Sequence, residues 1–168
     1  MKTIWALVAV SLLGIVAFGE NFASLADLPE AKNYVLKRAS SYDRSGANAD
    51  YRTIAPGETL TVLDQSGPGL ISHIWITIAS DDPHHLKALV LRMYWDGESA
   101  PSVEAPIGDF FGLGLGDYFL YESIPLAVGA EKALNCFFPM PFQNHARITV
   151  GTADEMAKFQ KALLKVMA

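Results

Sequence analysis

Ile71-Ser72-His73-Ile74-Trp75-Ile76-Thr77-Ile78 alternates in character along its whole second half. Side chains of a strand point to opposite faces in turn, so Ile74, Ile76 and Ile78 share one face and His73, Trp75 and Thr77 share the other. The isoleucine face needs a core to bury it. The other face is either open to solvent or the second packed face of a sandwich, and periodicity leaves both readings standing.

The same pattern recurs outward from this run. Leu89, Leu91, Met93 and Trp95 lie opposite Val90, Arg92 and Tyr94, and Thr59 to Leu63 follows a Pro56-Gly57 turn. Further short strands are expected near 102–105, 124–128, 133–138 and 146–150. Many short strands punctuated by glycine and proline read as a mostly β fold, a jelly-roll β-sandwich over residues 40–150. Before it, residues 20–39 read as a linker with a short helix at Ala31 to Arg38. After it, Thr152 and Glu155 form a capping box, and Met156, Phe159, Leu163 and Val166 recur at helical spacing. A C-terminal α-helix over residues 151–168 is therefore expected.

The N-terminus carries a targeting pattern. Lys2 precedes an apolar run from Thr3 to Phe18, and Ala17-Phe18-Gly19 places small residues where a signal peptidase reads, with cleavage before Glu20. Residues 1–19 thus read as a signal peptide, and the chain as exported to the periplasm or the extracellular space. The run is short for a span needing about 20 apolar residues. A lipid anchor would need a cysteine just after it, and the only cysteine is Cys136. No stable membrane anchor is expected.

Composition narrows the function further. The chain has 168 residues, 51% of them hydrophobic and 18% charged, enough to bury one ordinary core. Its formal charge of −5, with no basic block, argues against nucleic-acid binding. Cys136, between Asn135 and Phe137, reads as a buried space-filling thiol rather than a nucleophile. Gly112-Leu113-Gly114-Leu115-Gly116 lacks the third glycine of a dinucleotide fingerprint, because Asp117 stands there, and reads as a turned loop. Asp81-Asp82-Pro83-His84-His85 has metal-ligand residue types, but adjacent residues rarely converge on one ion; a solvated turn is the better account, with no metal and no cofactor expected. Trp75 between His73 and Thr77 suits a sugar, whose C–H face stacks while its hydroxyls seek partners. Glycoside hydrolysis needs a positioned carboxylate pair; Glu104, Asp109, Asp117 and Glu122 have the right type, but their spacing marks no pair.

Several longer runs, read together, resemble one family. They are Ser40-Ser-Tyr-Asp-Arg-Ser-Gly-Ala-Asn-Ala-Asp50, Ile54-Ala-Pro-Gly-Glu58, Gly67-Pro-Gly69, His73-Ile-Trp75, Leu89-Val-Leu-Arg-Met-Tyr-Trp-Asp-Gly97, Pro106-Ile-Gly-Asp-Phe-Phe-Gly112 and Asn135-Cys-Phe-Phe-Pro-Met-Pro-Phe142. The chain resembles glycoside hydrolase family 172 from about Tyr34 to Val150, a family acting on α-D-fructofuranosides, difructose dianhydride and D-arabinofuranosides. The resemblance implies a double jelly roll, of which this would be the first half. It also implies assembly into homo-oligomers and a retaining, metal-free mechanism. Carried over by motif, Ser41, Asp43, Arg44, Asn48, Asp50 and Trp75 would contact the sugar. Ser45 and Ala47 depart from the threonine and glycine common in relatives.

The family's two catalytic glutamates lie in glycine-rich motifs that this sequence does not contain, so no catalytic residue is assigned. From Arg147 to Thr152 and on through Leu163 the chain resembles the C-terminal end of a histidinol-phosphate-aminotransferase-like protein. That resemblance points to a junction near Ala146–Val150, against the alternative of a native helix closing a shortened jelly roll. The expectation is an N-terminal, non-catalytic portion of an exported furanoside hydrolase. The alternative is a carbohydrate-binding or oligomerising module.

Overall fold

A computed structural model describes residue 31 and residues 33–151 of the chain. Contacts divide the chain into Met1–Lys32 and Asn33–Ala168, and of the first unit only Ala31 is described. The expected signal peptide and the helical stripe from Met156 to Val166 lie outside the described residues.

The elements, in order, are β1 (Thr59–Ser66), β2 (Gly69–Ile71), β3 (Ile74–Ile76), α1 (His85–Ala88), β4 (Val90–Trp95), β5 (Val103–Pro106), α2 (Ile107–Phe110), β6 (Tyr121–Glu122), β7 (Leu126–Val128), β8 (Leu134–Cys136), β9 (Met140–Phe142) and β10 (His145–Gly151). A 3-10 turn at Ala130–Lys132 precedes β8. Every strand pairing is antiparallel.

One sheet has the order β1-β10-β4-β5 and a second the order β3-β8-β7-β6, with β2-β9 as a separate pair. These pairings form one long ribbon. Thr59 lies opposite Gly151, Gly69 opposite Phe142, and Ile76 opposite Leu134, with a bulge between Thr61 and Leu63. The register slips by one residue at that bulge and returns by one between Ile71 and Ile74. Where β1 gives way to β2, Gly67 and Gly69 lie so close to the Phe142 ring that a Cβ at either would overlap it. A jelly roll would share this ribbon; outside it, β4–β5 and β6–β7–β8 pair with their sequence neighbours.

Both sheets feed one core. Leu91, Met93, Ile148 and Val150 come from the first sheet, and Val128, Leu134 and Cys136 from the second. Leu86 of α1, Ile107 of α2, Phe111 and Leu113 complete the cluster. Burial of each large side chain favours the folded state by about 1.5–3 kcal/mol. The mostly β class with antiparallel sheets is therefore the observed one.

Two details differ from the sequence pattern. β4 is buried on both faces, since Val90 is wholly buried and Arg92 only 9% exposed. Val90 lies outside the main core cluster, so both faces of this central strand are covered. Arg92 Nε donates to Glu104 Oε2 at 2.6 Å across the β4–β5 pair. Residues 33–38, expected to form part of a short helix, have no regular hydrogen-bonded structure. A helix that short gains few bonds for its nucleus, and Tyr34, Val35 and Leu36 are at least 72% exposed, so no packing offsets the cost. No helix among the described residues is long and apolar enough to cross a membrane.

Candidate functional site

The polar run from Ser40 to Asp50 folds around one carboxylate. Asp43 Oδ1 accepts the Ser45 amide at 2.8 Å and the Ser45 hydroxyl at 2.7 Å. Asp43 Oδ2 accepts the amides of Ala47 at 3.2 Å and Ala49 at 3.4 Å. Asp50 Oδ1 takes the Asp43 amide at 2.6 Å, and the Ser41 hydroxyl donates to the Asp50 carbonyl at 2.9 Å. Short polar side chains that bond nearby amides favour such turns, and the left-handed backbone of Gly46 and Asn48 lets the chain reverse. The Ser45 hydroxyl, followed by its amide, holds the Asp43 carboxyl below its usual 3.8. Ser45 thus makes the bond a threonine there would also make.

Three of the expected sugar contacts, Ser41, Asp43 and Asp50, therefore shape the loop itself. Arg44 and Asn48 are exposed, and the Arg44 guanidinium lies 5.8 Å from the centre of the Tyr42 ring. Of the contacts expected on this loop, they are the two whose side chains do not shape it.

Trp75 stands at the middle of β3 and is 58% exposed. This resolves the two readings of its face, because His73 and Thr77 are exposed as well. Trp75 pairs with Asn135, Asn135 with Ala127 and Ala127 with Glu122, so these four form a row across the second sheet. Beside that row His73 stacks on Phe137, with ring centres 4.5 Å apart and planes inclined by 3°. His73 Nε2 lies 3.1 Å from Asn135 Oδ1, and Asn135 Nδ2 donates to the Ala133 carbonyl at 3.2 Å. Sequence reading passed over Asn135 and Phe137. Their signal was the alternation with the buried Leu134 and Cys136.

Among the described residues, no hydrogen bond, ion pair or ring contact joins Trp75 to the loop at 41–50. The two parts of the expected site are each ordered locally.

Other groups with chemical capacity are engaged structurally. Glu104 is paired with Arg92, and Asp109 with Lys87. The Asp96 carboxyl is held below its usual value, chiefly by the amides of Asn144 and His145. A glycosidase general acid needs the opposite shift. Of the His85 ring, Nδ1 lies 2.7 Å from the Asp82 carbonyl and Nε2 3.1 Å from the Tyr118 hydroxyl. Among the described residues no three His, Cys, Asp or Glu side chains gather as a metal site would require. The glycine run is a tight turn: Gly112 and Gly116 have φ of 76° and 82°, and the Gly116 amide bonds the Leu113 carbonyl at 2.9 Å. Cys136 is fully buried, and burial raises its thiol pKa. An open groove of about 370 Å³ runs past Trp95, Phe110, Phe138 and Met140, but its apolar lining offers no group to orient a sugar.

No curated protein matches the chain. A family profile described as GH172 domain-like matches residues 46–163. The match takes in Asn48, Asp50, Trp75 and all ten strands, and continues beyond β10; Ser41, Asp43 and Arg44 precede it. With a β-rich fold, an exposed aromatic face and a match over most of its length, the chain belongs to the GH172 domain-like family, a glycoside-hydrolase-related group.

Proposed function

We propose that this domain is the N-terminal, non-catalytic part of an exported, jelly-roll glycoside hydrolase that processes fructofuranosides or arabinofuranosides. Its part is to hold sugar. The observation that carries this reading is Trp75, a large aromatic side chain left 58% exposed on a strand and flanked by hydrogen-bonding side chains, in a family of carbohydrate-active proteins. Stacking on its ring would align a furanose, while Arg44 and Asn48 would supply polar contacts from a loop shaped by Ser41, Asp43 and Asp50.

Titration calorimetry with methyl furanosides tests this. Binding is expected near the millimolar range, with Trp75→Ala weakening it about fivefold while circular dichroism stays unchanged. Equal affinity of variant and parent would remove Trp75 from the site. No turnover of an aryl furanoside is expected. Turnover that disappears in Glu104→Gln, Asp109→Asn, Asp117→Asn or Glu122→Gln would overturn the non-catalytic reading.

A second reading, an oligomerising module, is favoured by the apolar residues around the edge strand β6. Leu120 is 74% and Ile124 97% exposed. Exposed apolar surface of this kind marks contact sites. Sedimentation velocity of the chain and of a Leu120→Lys, Ile124→Lys variant reads it directly: a shared monomer value would exclude assembly through this edge.

A further inference from the structure

We infer that the outer face of β3 and β8 carries a second sugar subsite, built from Phe137 stacked on His73 and from Asn135, so that the face takes two linked sugar units. This deepens the sugar-binding reading above and rests on it. Residues on one face of a strand recur about every 6.6 Å. Phe137 and His73 therefore lie one pleat along from the Trp75–Asn135 row, on the same side of the sheet.

Three observations fit a neutral, hydroxyl-bearing ligand. First, the rings are exposed: Phe137 is 45% open to solvent although the adjacent Cys136 is fully buried. Second, hydrogen-bonding capacity remains. With His73 Nε2–H donating to Asn135 Oδ1, the Nδ1 lone pair of His73 is left over. Asn135 spends one Nδ2–H on the Ala133 carbonyl and keeps the other. One donor and one acceptor thus stand beside two ring systems, the pairing that neighbouring sugar hydroxyls require. Third, His73, Trp75, Asn135 and Phe137 include no carboxylate, lysine or arginine, which matches an uncharged glycan. The nearly parallel stack and the His73–Asn135 bond hold these groups in place before binding, which reduces the ordering cost of association.

The test uses the full chain and two probes, methyl α-D-arabinofuranoside and an α-linked arabinofuranosyl trisaccharide. Calorimetry should show Phe137→Ala binding the methyl glycoside as the parent does and the trisaccharide about fivefold more weakly. Phe137→Leu, which keeps apolar bulk but removes the ring plane, should behave alike if the alanine variant fails to fold. In the parent, the Phe137 ring signals should shift with the trisaccharide and not with the methyl glycoside. The subsite is overturned if the Phe137 variants bind both probes as the parent does, or lose both equally. If Trp75→Ala weakens both probes while the Phe137 variants weaken neither, the sugar-binding reading stands and the second subsite falls. If the parent binds neither probe, both fall.

Discussion

Asp96 and Asn144 join two turns at one end of the first sheet: Asp96 Oδ1 accepts the Asn144 amide at 2.6 Å. The same oxygen accepts the amides of Gln143 at 3.0 Å and His145 at 3.1 Å. Asp96 has φ of 51°, a left-handed conformation that suits the Asp-Gly turn after β4. The carboxylate thereby ties the β4–β5 turn to the turn that starts β10.

This bond makes stability depend on pH with a definite sign. Hydrogen bonds to the ionised form depress the folded pKa of Asp96, so its contribution is present above the unfolded value of about 3.9 and is lost as pH falls through the folded one. Asp96→Asn tolerates the same backbone, keeps one oxygen to accept the amides of Gln143, Asn144 and His145, and removes the charge. Its melting temperature should lie below the parent's at neutral pH, and the gap should close below about pH 4. A gap that persists unchanged at pH 2 would mean that the charge is not the cause.

Asp43 should act on its loop alone. Asp43→Ala is expected to speed hydrogen exchange at the amides of Ser45, Ala47 and Ala49, which bond its carboxylate, and to leave the global unfolding midpoint in place. In the parent, those amide shifts should follow a titration with a midpoint below 3.8.

Gly112 should resist replacement. Its φ of 76° costs an alanine about 1–2 kcal/mol, and the added Cβ would meet the Tyr121 hydroxyl. That hydroxyl donates to the Phe111 carbonyl at 2.6 Å, so Tyr121→Phe is also destabilising. Denaturant unfolding of the double variant should show less loss than the two single losses added together, because one contact causes part of both.

The Cys136 thiol should be inert in the folded chain. Burial both blocks access and disfavours the thiolate. A disulfide exchange reagent is expected to react only after denaturation, at a rate set by global opening. Prompt reaction in native buffer would contradict the fully buried position.

The alternation in Ile71–Ile78 was legible because one face is apolar and β-branched, and that face is the one the core takes up. Elsewhere the pattern was too short or misleading. β9 contains Pro141, which argues against a strand, yet it pairs only with β2, and such a short two-stranded pair has edges where a missing amide costs little. α1 and α2 have four residues each, too few to show a helical period. The exposed side of β8 was present in the alternation around Leu134 and Cys136. Its partnership with His73 was not, since register between strands far apart in sequence leaves no local mark. The loop at 40–50 read as polar and turn-forming; that Asp43 would spend both oxygens within it required the folded path of the chain.

The long ribbon has a consequence for the order of events during synthesis. Among the described residues, β1 lies at an edge of its sheet and β10 is its sole partner there. A nascent chain therefore carries β1 without that partner until residues 145–151 have left the ribosome. Pairing of such widely separated segments gives high contact order and slow closure, and exposes strand edges to wrong partners in the meantime. A ribosome-stalled chain ending before His145 should be readily cleaved by protease, and protection should rise abruptly once Gly151 has emerged. Among the described residues, the last strand made is the one that brings the first into the sheet.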